Sequence, residues 1–184
     1  MRTDDLIDEI LMDIPAPRAT IREAISRAAR RLCTEADVWV QRREPVVVAA
    51  NTNYPQIAAA DGEPLRIRYL TIDGRKTRAG EGWEQPEASL IVFQQKPKQS
   101  LIFGELACRP EHDKMPPDDV VDRWAEVIEH GARYRLLMMP QAWANPNLAA
   151  HHDQRFMSGV FSARQYVNHG HARGTARVKA RRFI

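Results

Sequence analysis

The apolar residues of this chain keep two different periods, and the change between them restricts the fold more than any other feature. Ile21, Ala24, Ile25, Ala28, Leu32 and Ala36 recur every three or four positions, the spacing that gathers side chains on one face of a helix. From about Val38 that rhythm stops. Residues 39–50, 65–72, 89–94 and 100–109 are rich in β-branched and aromatic residues and are bounded by turn formers, as strands are. Beyond Pro116-Pro117 the helical period returns, first through Val121, Ala125, Ile128, Ala132, Leu136 and Met139. It continues through Leu148, His152, Phe156, Val160, Ala163 and Val167. Helices, strands and helices again within 184 residues predict an α+β fold. The N- and C-terminal helices pack as one bundle, with a small antiparallel sheet inserted between them and an extended basic arm at the C-terminus. In residue terms, 1–38 and 111–170 form the bundle, 39–110 the inserted β region and 171–184 the arm.

Local signals sharpen the element ends. Leu6, Ile7, Ile10 and Leu11 form the stripe of a short amphipathic segment from Thr3, which can cap it, to about Ile14, before Pro15 and Pro17 break it. Thr20 and Glu23 fit a capping box, which starts the second helix at Thr20 and carries it to about Asp37. Asp73-Gly74, between residues 65–72 and 75–79, predicts a tight hairpin. Asp61-Gly62 and Gly80-Glu81-Gly82 mark loops. Acidic residues from Asp118 favour the positive end of a helix running to Met139, where Pro140 stops it. Asn145-Pro146 supplies a side-chain cap and a proline at the first helical position, and Gly170 ends the last helix.

The formal charge of +3 conceals an asymmetry. Residues 1–153 hold 20 Lys/Arg against 24 Asp/Glu, a balance of −4, whereas residues 154–184 hold 7 Lys/Arg and no carboxylate, a balance of +7. From Ala172 the side chains alternate. Arg173, Thr175, Arg177, Lys179 and Arg181 take odd positions, and Ala172, Gly174, Ala176, Val178 and Ala180 take even ones. In an extended chain this places the cations on one face and the small residues on the other, before Arg182 and the apolar Phe183 and Ile184. The pattern suits an arm that pairs with a partner's sheet edge and anchors by its apolar end. The competing reading is a nucleic-acid-binding module whose cationic tail neutralises phosphates, although the arm lacks aromatic residues between its cations for base stacking.

Catalytic constellations are not found in the sequence. Cys33 and Cys108 form neither a disulfide framework nor a zinc spacing, and each falls at a core position of its element. There is no Gly-x-Ser-x-Gly elbow and no phosphate-binding loop in a strand–loop–helix context. His151-His152-Asp153 invites a metal reading, but neighbours on a helix diverge by roughly 100°. Only the fold could bring His130 close to them. The expectation is a protein that is not an enzyme and holds no cofactor or metal. The acidic start lacks the charge of a secretory leader, and no apolar run approaches the roughly 20 residues of a membrane span. A protein kept in a reducing cytoplasm, without membrane attachment, is expected.

Four stretches in order along the chain resemble a known family. They are residues 21–33 (IREAISRAARRLC) followed by Val38-Trp39; residues 131–140 (GARYRLLMMP) leading to Trp143; residues 145–150 (NPNLAA) with Phe156 and Ala163; and the basic end Arg181-Arg182-Phe183. Together they resemble the head–tail adaptor, or head-completion, proteins of tailed bacteriophages. The resemblance implies a structural virion protein, a homo-oligomeric ring of commonly twelve copies seated beneath the portal protein at the capsid vertex. The ring would join the portal to a tail or nozzle protein, and genomic DNA would pass through its channel. In such proteins a C-terminal segment embraces or enters the portal. Here that role would fall on Arg173, Arg177, Lys179, Arg181, Arg182, Phe183 and Ile184. Gly131, Ala132 and Ala163 would allow close helix packing.

Overall fold

A computed structural model of the protein describes residues 3–52, 55–95 and 98–169. The arm residues Arg173, Arg177, Lys179, Arg181, Arg182, Phe183 and Ile184 lie outside the described residues. Four helices, α1 (Thr3–Leu11), α2 (Arg18–Ala36), α3 (Asp118–Leu137) and α4 (Pro146–His169), flank seven strands. These are β1 (Trp39–Arg42), β2 (Val46–Val48), β3 (Glu63–Ile72), β4 (Arg75–Thr77), β5 (Trp83–Glu87), β6 (Leu90–Phe93) and β7 (Ser100–Arg109). The fold is α+β, helices packed together with antiparallel sheet between them in sequence.

β7 is the spine of the main sheet. It pairs antiparallel with β1 and β2 on one edge and with β3 on the other, and β3 carries β4. Asp73 (φ 48°) and Gly74 (φ 84°) make the two-residue turn that the sequence predicts, placing Ile72 opposite Arg75. The Asp73 carboxylate accepts from the Leu101 amide at 2.8 Å, so the turn is pinned to the spine. β5 and β6 form a separate hairpin. It delivers Trp83, fully buried, whose indole N–H donates to Thr77 Oγ1 at 3.0 Å while that hydroxyl donates to the Leu70 carbonyl. The polar edge of the largest core side chain is thereby satisfied.

The buried apolar residues gather in two clusters. One joins the four helices, from Leu6 and Ile7 through Ile25, Ile128 and Leu136 to Phe156 and Ala163. The other joins Trp83, Ile91, Ile102 and Leu106 of the strands to Cys33 and Val120 from the helices. Gly131 of α3 lets α2 and α4 approach closely: a Cβ there would lie 2.7 Å from the Phe156 ring and 2.9 Å from Ala28 Cβ.

Several element ends differ from the sequence reading. α2 begins at Arg18 behind Pro17 (φ −56°, ψ 138°), with no side-chain cap, so the Thr20–Glu23 capping box does not form; Glu23 instead pairs with Arg27. Proline already fixes the angle of the entering chain, and it does so three residues before Thr20. α1 stops at Leu11 instead of reaching Ile14, though Ile14 remains buried and its amide bonds to the Ile10 carbonyl. The single strand expected over 39–50 is two strands, because Pro45 has no N–H to donate and holds Glu44 away from regular pairing. β5, which contains Pro86, falls where the sequence reading assigns no element. Leu148, placed on the apolar face of α4, is exposed. The start of α4 matches expectation: Asn145 Oδ1 accepts from the Leu148 amide at 3.1 Å, ahead of Pro146. Among the described residues no helix is long and apolar enough to cross a membrane.

Candidate interface at the root of the C-terminal arm

The described residues end at His169, where the last turn of α4 meets β3. The seat is built from three elements. α2 closes on Asp37, whose left-handed backbone (φ 53°) lets its amide bond back to the Cys33 carbonyl. A carboxylate at the negative end of a helix needs cations, and β3 supplies them. Arg66 Nε donates to Asp37 Oδ2 at 3.0 Å. Its Nη2 stands 2.6 Å from Oδ1, an ion pair without hydrogen-bond alignment. Arg68, only 10% exposed, lies 3.8 Å from the same carboxylate. It also donates to the Val167 carbonyl and to Asn168 Oδ1, each at 3.2 Å. One guanidinium thus ties the ends of α2 and α4 to the sheet.

Beyond Arg68 the surface is basic and aromatic. A bulge between Ile67 and Tyr69 turns Tyr69 outward, opposite Glu105, which in turn faces Arg42 across the sheet. The Lys76 ammonium sits 3.7 Å from the centre of the Tyr69 ring, and the Arg78 guanidinium sits 4.9 Å from it while donating to the Tyr69 hydroxyl at 2.8 Å. Glu105 is shared by Arg42 at 3.4 Å and Lys76 at 3.7 Å. Five cations, Arg42, Arg66, Arg68, Lys76 and Arg78, therefore line these neighbouring grooves with only two carboxylates, Asp37 and Glu105. The excess positive charge faces outward at the foot of an arm that is itself cationic.

The far side of α4 is fixed by aromatic contact. Trp124 meets Tyr166 edge to face at 5.8 Å, and Arg123 donates to the Tyr166 hydroxyl at 2.6 Å. Trp124 is the one residue of α3 with non-helical angles (φ −117°, ψ 20°), an interruption the apolar stripe did not foretell.

The remaining candidates from the sequence are resolved by geometry. Cys33 and Cys108 are fully buried; burial pushes the Cys33 thiol up to about 12 and the Cys108 thiol up to about 11, so both stay protonated. His130 does reach His152, with Nδ1 to Nδ1 at 2.9 Å, while His151 diverges. Two imidazoles alone do not hold a metal, and no group of three or more candidate ligands occurs among the described residues. The imidazole pair instead packs α3 against α4. Burial, then the neighbouring His130 and Arg133, hold His152 down to about 4, and burial also lowers His130.

The sequence reading missed Arg66, Arg68, Tyr69, Lys76 and Arg78. The available signal was cations on both strands of a hairpin, around an Asp-Gly turn. Comparison with protein-family models and with curated proteins finds no match to this chain.

Proposed function

We propose that the protein is a non-catalytic head–tail adaptor: a structural virion component that forms a ring beneath a portal and docks on it through its C-terminal arm. The observation that carries this reading is the pairing of a cationic, alternating arm with the seat from which it departs. That seat is positively charged. Arg68 and Tyr166 hold the end of α4, so the arm starts from a fixed point. The cations around Tyr69 and those of residues 173–182 are of one sign, which favours a partner surface bearing negative charge. Arg173, Arg177, Lys179, Arg181 and Arg182 supply attraction, and Phe183 and Ile184 the apolar anchor. Ring formation has candidate faces in exposed apolar side chains: Met157 and Phe161 on α4, and Val47 beside Leu101 on the sheet. Two unlike patches suit the head-to-tail contacts from which closed rings are built. DNA would pass through that ring, and a tail or nozzle protein would bind its far side.

A second reading, a nucleic-acid-binding module, is favoured by one observation. The arm and the five-cation surface are adjacent and of one sign. Because Lys76 and Arg78 already cover Tyr69, contact would be to phosphates and not to bases. Binding measurements with and without residues 172–184 separate the two readings. The adaptor reading expects portal binding that disappears with the arm and little affinity for duplex DNA at physiological salt. Strong DNA binding with a steep salt slope, set by the same arginines, would establish the second reading in its place.

A further inference from the structure

We propose that Arg135, together with Arg27 and Arg31, forms a binding site for a phosphate group on the surface between α2 and α3. Arg27, Arg31, Glu35, His112 and Arg135 line one shallow depression there. Its other arginines all have carboxylates. Arg27 pairs with Glu23, Arg31 with Glu35 at 2.7 Å and Asp153 at 3.7 Å, and Arg30 with Glu63 at 2.8 Å. Arg135 has neither an ion pair nor a hydrogen bond among the described residues, and its Nε is buried without a partner. Its surroundings are unfavourable to charge: burial weighs most, then Arg27, with Glu23 opposing and Arg31 adding to Arg27.

A half-buried guanidinium without an anion is costly, and a buried donor left unpaired calls for an explanation in a folded protein. A bound oxyanion supplies one. Guanidinium forks match oxyanions in geometry as well as charge. Here α2 contributes Arg27 and Arg31 one helical turn apart and α3 contributes Arg135; Arg31, already held by Glu35, Asp153 and Met157, adds charge, while Arg135 adds the unpaired donors. Donors arriving from two helices suit a tetrahedral group with several oxygens, whereas a carboxylate is served by a single fork. The chemistry fits inorganic phosphate and the backbone phosphate of nucleic acid alike. This inference does not depend on the adaptor reading.

Thermal unfolding of the full chain in rising potassium phosphate, with chloride balancing ionic strength, tests the site. The wild-type midpoint is expected to rise by a few degrees, because a ligand bound only to the native state stabilises it. Arg135→Met is expected to begin higher in chloride, since it removes an uncompensated charge, and to respond weakly to phosphate. Arg135→Lys, which keeps the charge and loses the fork, serves if the methionine variant fails to fold, and it should respond less than wild type. A duplex of about 20 base pairs at matched phosphate concentration identifies the source. A free-ion site answers to inorganic phosphate alone, and a nucleic-acid site answers to the duplex with Arg135 dependence. An unchanged wild-type midpoint with both probes overturns the proposal, as does an equal response in the Arg135 variants.

Discussion

Arg133 in the bundle and the arginines on the outer face of the sheet carry the same charge in opposite circumstances. Arg133 is 8% exposed. It is locked by Asp13 and by Glu129, and it donates to the Glu9 carbonyl at 3.3 Å, so that one guanidinium joins α1 to α3. On the sheet, the side chains of Arg42 and Arg66 are 81% and 51% exposed and compete for carboxylates that other cations already use. At Arg133 the bundle neutralises the charge within the fold. The sheet keeps an excess and presents it where the chain leaves for the arm. Arg68 stands between the two cases, being buried like the first and part of the cationic surface like the second.

That contrast can be broken by substitution. The largest effect is expected from pure packing: Phe156→Ala should cost about 3–5 kcal/mol, since the ring is fully buried against Gly131 in a core with little room to collapse. Arg133→Ala should cost about 3 kcal/mol, because it strands the largely buried Glu129 beside Asp13. Arg68→Ala should cost about 1–3 kcal/mol, the range for hydrogen bonds to a charged group, and should loosen the last turn of α4. Denaturant unfolding measures all three, and amide exchange at Val167 and Asn168 reports the local loosening. Arg42→Ala should change stability by no more than about 0.5 kcal/mol while weakening anionic-partner binding. A cost for Arg42→Ala equal to that of Arg133→Ala would erase the distinction drawn here.

Acid sharpens the contrast from another side. The native state holds His152 and His130 below their ordinary range, so the unfolded chain binds more protons. Their contribution is fully present above about pH 6.5 and declines as pH falls towards about 4, the value to which His152 is held. The 2.9 Å gap between the Nδ1 atoms has room for a single proton, so the doubly charged pair must part. The unfolding midpoint should therefore fall over this window, and His152→Gln should flatten the dependence. Imidazole nitrogen shifts followed by NMR check the assignment directly.

What could be read from the sequence and what could not divide along physical lines. Asn145-Pro146 and Asp73-Gly74 act within a few residues of themselves, and both do what their chemistry predicts. The stripe of α2 buries as its period requires, because amphipathic helices have one way to hide an apolar face, whereas of the α3 stripe Val121, Ile128, Ala132 and Leu136 bury while Ala125 and Met139 stay half-buried. The capping box failed since Pro17 pre-empted it, a contest between two valid local signals. The basic seat was illegible for a different reason. Asp37, Arg68, Glu105 and Val167 are brought together only by the pairing of β3 with β7 and by Arg68, which reaches the ends of both α2 and α4. The same holds for His130 with His152, and for Arg135, whose lack of a partner is a fact about three-dimensional neighbours.

Electron microscopy of the protein mixed with a portal protein, the partner the adaptor proposal names, tests that proposal most directly. The account predicts a closed ring of density seated coaxially on the portal with the full chain, and bare portals with a folded chain lacking residues 172–184. Rings seated equally well without the arm, or a full chain that leaves the portal bare and coats DNA instead, would contradict it.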